Sequence, residues 1–185
     1  MLLRFFLYFF IFFIYSINLQ ADKKQLVIDK LLEINNLTFT FKQIRGDKTE
    51  AGTCFLIFDN KLKCEYSDKN QKEIIINNKT LVIIQKRYDK IYFYPFSKSP
   101  FLKILNKKNL INLIKNSNLE LNNNINLIYL DKKGKKITLY FKKENHELIG
   151  WKVEDDLLNE INFLLKIQSI NTQIDNGLFK IPSIN

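Results

Sequence analysis

A two-residue apolar rhythm, returning again and again between short turns, limits what this chain can fold into more than any other feature. Leu37, Phe39 and Phe41 alternate with Thr38, Thr40 and Lys42, the pattern of a strand with one apolar face. The same signal marks Glu73 to Ile76, Thr80 to Lys86, Lys90 to Phe96, Ile125 to Leu130, Lys136 to Lys142, Glu147 to Val153 and Glu160 to Ile170. Between these runs lie Asn77-Asn78, Arg87-Tyr88-Asp89, Lys132-Lys133-Gly134 and Asp155-Asp156, all turn chemistry. Links this short join antiparallel neighbours, so the spacing predicts one large meandering antiparallel sheet in a mainly β, α+β fold. Two segments break the rhythm. Asp22 to Asn36 places Leu26, Val27, Lys30, Leu31 and Ile34 at helical spacing, and a second helical element falls between Pro100 and Asn118.

A sheet with so few helices must cover its own apolar face. Ile161, Phe163, Leu165 and Ile167 fall on one side of their strand, as do Ile137, Leu139 and Phe141 on theirs. A sheet of this width curls, and its inside is either filled by side chains or left as a cavity under a helical lid. Both outcomes fit the sequence. Strand parity nominates Phe39, Phe41, Leu56, Leu62, Ile74, Ile83, Tyr92, Ile137, Leu139, Phe141, Trp151, Ile161, Phe163 and Leu165 as inward-facing, with Leu105 from the second helical element. Trp151 and the run Tyr92-Phe93-Tyr94-Pro95-Phe96 suit either core packing or a cavity wall.

Cys54 and Cys64 flank Asp59-Asn60 in a segment that reads as a hairpin. Opposed residues in a hairpin have numbers with a constant sum, which centres this turn on Asp59 and predicts an odd loop of three or five residues. The two cysteines then face each other, and a disulfide is expected. Inert buried thiols are the alternative; the spacing is not the Cys-x-x-Cys of redox catalysis.

Met1 to Arg4 followed by the apolar Phe5 to Ile17 has the layout of a secretory leader, and the run is short for a membrane span. Cleavage after Ala21 is expected, giving a leader over 1–21 and a single domain over 22–185, with an uncleaved anchor as the alternative. Near the junction there is no cysteine for a lipid anchor, so the product is expected in the periplasm as a soluble monomer. The formal net charge of +10 comes from scattered lysines, which suit a solvated surface and give no nucleic-acid stripe.

The chemistry of catalysis has little to stand on. His146 is the sole histidine and sits in a polar turn, so it is expected on the surface, and no triad or metal cluster can be assembled around it. Asp155-Asp156 reads as a turn, not an acid–base pair, and Arg45-Gly46-Asp47 lacks a phosphate-cradling loop. No catalytic residue, metal or cofactor is expected.

Taken in order, several segments resemble one family. Thr38-Phe39-Thr40-Phe41-Lys42-Gln43, Gly52 opening a hairpin that ends Leu62-Lys63-Cys64-Glu65-Tyr66, and Ile74-Ile75-Ile76-Asn77-Asn78-Lys79-Thr80-Leu81 follow the LolA succession of Phe-x-Gln, Gly, Phe-Arg-Trp-Glu-Tyr, and aliphatics before an Asp-Gly turn. Ser99-Pro100-Phe101-Leu102-Lys103-Ile104-Leu105 resembles its Thr-Pro-x-x-x-Leu-Leu helix start, and Phe179-Lys180-Ile181-Pro182 its Phe-x-Ile-Pro ending. The resemblance spans about residues 26–182. It implies an unclosed β-barrel with helices over the open face, holding lipoprotein acyl chains in an apolar cavity. It also implies partners: acylated lipoproteins, an inner-membrane LolCDE-like ABC exporter that loads the carrier, and a LolB-like receptor, or the outer membrane directly, that unloads it. The chain departs from the family at Phe58-Asp59, where Arg-Pro is common, so the arginine associated with one-way transfer does not carry over. Two other readings fit the same residues: a periplasmic lipid- or lipoprotein-sensing regulator on the same half-barrel, as in RseB-like proteins, and a basic polymer binder resting on charge alone.

Overall fold

Among the described residues, eleven strands form one antiparallel sheet: β1 (Asn36–Arg45), β2 (Lys48–Ile57), β3 (Lys61–Tyr66), β4 (Lys72–Asn77), β5 (Thr80–Gln85), β6 (Lys90–Pro95), β7 (Asn118–Leu121), β8 (Ile125–Leu130), β9 (Lys136–Phe141), β10 (Leu148–Glu154) and β11 (Glu160–Ile170). This is a computed structural model, and it describes residues 22–95, 102–131, 134–154 and 159–182. The expected leader, Phe96, the Ser99-Pro100-Phe101 helix start and the Lys132-Lys133 and Asp155-Asp156 turns lie outside those residues.

The strand order is β6-β5-β4-β3-β2-β1-β11-β10-β9-β8-β7. Each half is a meander in which neighbours in sequence are neighbours in space. The halves meet at one non-local seam, where β1 and β11 run from Leu37 opposite Ile170 to Arg45 opposite Ile161, with a bulge at Thr38/Phe39. β6 and β7 end the sheet without pairing to each other, so the barrel is unclosed. Helix α1 (22–32) precedes β1, while α2 (Leu102–Leu105) and α3 (Lys107–Lys115) lie between the two end strands in the chain. The second helical element is therefore two helices, broken at Asn106, whose side chain caps α3 by accepting from Asn109 N–H at 2.9 Å. The sequence does not announce the short β7; Leu119 and Leu121 alternate there, but among Asn and Glu and directly after a helix.

Local chemistry explains the tight turns. Arg45 pairs with Lys48 across Gly46-Asp47, so Arg45 belongs to a strand, and Gly46 takes the positive φ of 55°. The β2–β3 loop is Phe58-Asp59-Asn60, three residues, and it sets Cys54 directly opposite Cys64 in a disulfide.

The two faces of the sheet are buried differently. The concave face carries Phe39, Phe41, Cys54, Leu56, Leu62, Leu139, Phe141, Trp151, Phe163 and Leu165 into one core with the helices. On the convex face Ile75 and Val82 are buried, and the C-terminal segment crosses nearby: Asn77 Nδ2 donates to the Phe179 carbonyl at 3.1 Å, Lys61 donates to Asn176 at 3.0 Å, and Phe179 is only 1% exposed.

Candidate functional site

The concave face is organised by an aromatic row whose rings come from four strands. Trp151 on β10 stacks on Phe163 of β11 with centroids 4.2 Å apart, Phe163 stacks on Phe41 of β1 at 4.9 Å, and Phe41 meets Tyr66 of β3 edge-on at 4.9 Å. Each such pair contributes roughly 0.5–1.5 kcal/mol beyond area burial. Phe41 reaches Tyr66 only because Gly52 stands between them on β2. A Cβ there would lie 2.9 Å from Phe41 Cε1 and 2.0 Å from the Glu65 carbonyl oxygen. At the Tyr66 end the row turns polar: Lys72 Nζ sits 3.7 Å above the Tyr66 ring and pairs with Glu50, which also accepts from Gln43. Burial first, then the Glu50 and Asp68 charges, push the Tyr66 phenol well above its ordinary value.

Among the described residues, small apolar voids lie between this face and the helices. The larger, ≈ 30 Å³, is enclosed by Val27, Lys30, Leu31 and Ile34 of α1, Ile104 and Leu105 of α2, Leu110 of α3, and Leu37, Phe39, Leu56, Phe58, Phe141, His146, Leu148, Trp151, Leu165 and Ile167. The second, ≈ 20 Å³, lies towards β3 and β4, among Cys54, Leu62, Cys64, Tyr66, Ile74, Ile76 and Phe163. Phe39, Leu105 and Trp151 line both and form the wall between them. Voids of this size have room for a water or two; around them, among the described residues, side chains of the three helices pack against the concave face.

Polar contacts at the rim fasten these helices. Asp59, in the β2–β3 turn, accepts from Lys107 N–H at 2.7 Å at the start of α3, and Lys107 Nζ lies 5.3 Å from the Phe58 ring. Lys24 of α1 donates to the Lys115 and Ser117 carbonyls at the end of α3, a cation placed where the helix dipole favours one. The lid is apolar in the middle and latched at its edges.

The residues nominated by parity share the concave face, because register carries Leu62, Ile76, Leu81 and Tyr94, and likewise Cys64, Ile74, Ile83 and Tyr92, straight across β3 to β6. Phe39, Leu56, Leu105, Phe141, Trp151 and Leu165 line the larger void, and Leu62, Ile74 and Phe163 the smaller. Phe41, Ile83, Tyr92, Ile137, Leu139 and Ile161 line neither; Ile137 and Leu139 are packed in the core, and Tyr92 is exposed on the end strand. Strand parity leaves out the α1 residues, although their helical spacing marks a face that must lie on something apolar. His146 corrects its expectation. It is half-buried in a left-handed turn (φ 58°), lines the larger void, and its Nε2 is shielded with no hydrogen-bond partner. Nothing in its polar sequence neighbourhood signals that placement.

No group of three or more His, Cys, Asp or Glu able to hold a metal occurs among the described residues. Residues 33–182 match the family described as "Outer membrane lipoprotein carrier protein LolA". Among solved structures, an uncharacterized conserved protein from Thermus thermophilus is similar at TM-score 0.52 and 9% identity, over 88% of this chain and 94% of that one. MucB is similar at TM-score 0.50 and 12% identity, over 85% of this chain and 62% of that one. A LolA superfamily protein from Nitrosomonas europaea is similar at TM-score 0.44 and 9% identity, over 85% and 97%. No curated protein sequence matches the chain. At such identities the structural likenesses speak for the fold alone. The family match carries more, since it runs from the end of α1 to the last described residue. By that match the chain belongs to the LolA family.

Proposed function

We propose that this protein is a periplasmic chaperone that takes the acyl chains of lipoproteins against its concave face and ferries them from an inner-membrane ABC exporter to the outer membrane. The observation that carries this reading is the latched lid: three helices packed on a hydrocarbon wall by apolar side chains and held at the rim by Asp59 and Lys24. Each methylene left in water costs about 0.8 kcal/mol, so acylated proteins need cover to cross an aqueous space. The cover here is already occupied by Leu31, Ile34, Leu105 and Leu110. An acyl chain therefore enters by exchange, replacing lid side chains on the same surface. Exchange lowers net affinity by the cost of moving the lid, and a bilayer that hides the chains without such a cost draws them off.

The test is native mass spectrometry of the protein, purified from an exporting host, after incubation with an acylated lipoprotein in detergent-free buffer. A one-to-one complex with the acylated form, and none with the same lipoprotein lacking its chains, is the expected result. Binding indifferent to acylation, or no complex at all, overturns the carrier reading.

A further inference from the structure

The two ends of the sheet are unlike each other. β7 is four residues long, exposes one large apolar side chain, Leu121, and is followed by Asn122-Asn123-Asn124. β6 is six residues long, and every one of them is exposed. Of the ten large hydrophobic side chains left exposed among the described residues, five fall within Tyr88 to Tyr94: Tyr88, Ile91, Tyr92, Phe93 and Tyr94, each 38–52% accessible. They project from both faces, since Tyr92 and Tyr94 follow the concave register and Ile91 and Phe93 the convex one. Around them the chain places Lys79, Lys86, Arg87 and Lys90 against one acid, Asp89. Lys86 is engaged by Glu73, while Lys90 stands exposed.

We infer that β6, with the turn before it, is a docking edge for an anionic phospholipid bilayer. Tyrosine with flanking lysine and arginine is the chemistry of the membrane–water interface, where the ring sits at headgroup depth and the cation meets acidic lipid. Aromatic side chains on both sides of the strand suit insertion edge-first, and at headgroup depth water can meet the outward backbone groups of an end strand, which hydrocarbon could not. A protein strand added to this edge would use the backbone and leave the basic turn without a role. The edge also lies on a route. The two cross-strand lines Leu62-Ile76-Leu81-Tyr94 and Cys64-Ile74-Ile83-Tyr92 connect the wall of the smaller void to the rings of β6 without a polar residue between them. Resting on the carrier reading, this makes β6 the side from which acyl chains pass to the membrane.

Flotation of the cargo-free protein with lipid vesicles tests it, with every variant prepared alike and its N-terminus established by intact mass. Vesicles of phosphatidylethanolamine and phosphatidylglycerol are expected to carry the wild type, and vesicles of phosphatidylcholine to leave it behind. Replacing Arg87→Gln and Lys90→Gln weakens partitioning about fivefold each, the effect of about 1 kcal/mol per cation near the surface. The triple variant Tyr92→Ser, Phe93→Ser, Tyr94→Ser loses about tenfold or more. A Phe93→Trp reporter shifts its emission to the blue on the anionic vesicles and is quenched by brominated acyl chains; Trp151, buried, provides a constant background. Flotation that ignores these substitutions, equal partitioning onto neutral vesicles, or β6-dependent capture of a soluble protein strand without flotation overturns the inference. Lipoprotein capture, scored in parallel, separates the two proposals. Acyl-dependent capture without flotation removes the docking edge and keeps the carrier, and β6-dependent flotation without capture does the reverse.

Discussion

At the scale of single residues, the concave face depends on what is small as much as on what is large. Gly52 lets the Phe41 ring lie across β2, so the aromatic row passes over a strand that contributes no side chain at that point. Gly52→Ala forces β2 from β3 or Phe41 from Tyr66, and overpacking of this kind costs about 1–3 kcal/mol, read as a lower urea midpoint with unchanged slope. Tyr66, at the end of the row, makes stability sensitive to alkali. The unfolded phenol titrates near its ordinary value of 10.0, while the folded one is raised by burial and by Glu50 and Asp68. Folding thus favours the protonated form; this contribution is whole below pH 10.0 and is lost as pH rises above it towards the folded value. Tyr66→Phe is expected to lose less stability than the wild type between pH 9 and about 11.5, measured by urea unfolding on both sides of the unfolded pKa.

At the scale of elements, the lid is where the sequence both informs and misleads. Leu26, Val27, Leu31 and Ile34 announce an amphipathic helix, because a 3.6-residue period is local information. The break between α2 and α3 depends on one Asn cap inside an apolar stretch, a signal that helical spacing alone does not separate from continuity. Asp59 is harder still, for it looks like turn chemistry and is that, yet its carboxylate also grips the first N–H of α3. Asp59→Ala removes a cap worth about 1 kcal/mol. Amides at the start of α3 are expected to exchange faster with deuterium in that variant, while those of β1 and β11 keep their protection. The β9–β10 turn adds a small pH-dependent clasp near α1. Lys142 pairs with Glu147 at 3.0 Å and, by hydrogen bonding foremost, lowers that carboxyl from its ordinary 4.5, so the stability it lends is present above about that pH and fades as the solution is acidified through the folded value. Glu147→Gln is expected to flatten this acid limb slightly, because the pair is largely solvated.

For the whole molecule, what was legible follows from how far apart the interacting residues are in the chain. Hairpins were readable to the pairing of Cys54 with Cys64, since a turn and two alternating runs lie within a dozen residues. The seam between β1 and β11 was not, because nothing in Leu37 points to Ile170. Within β1 and β11 alternation is local: Phe39, Phe41, Phe163 and Leu165 are buried, while Thr40, Lys42, Leu164 and Lys166 between them are exposed. The convex face was missed altogether: Ile75 and Val82 sit in runs of consecutive aliphatics where alternation carries no information, and Phe179 matched a family ending without revealing what it covers. Phe179→Ala, emptying a nearly inaccessible site, is expected to cost about 3–5 kcal/mol while leaving acyl capture by the surviving folded protein unchanged, since the concave wall is on the other side of the sheet. Thermal unfolding and the capture assay together check both halves of that expectation.

The seam has a consequence for the order in which such a molecule can be assembled. Its middle strand is among the first made and that strand's partner among the last. A chain delivered N-terminus first, from a ribosome or through a translocation pore, therefore keeps β1 bare along one edge until Ile170 has emerged. Either half can hairpin as it appears, but the zip that joins them closes only at the end of delivery. Until then the chain is two meanders without the strand pair that makes them one sheet.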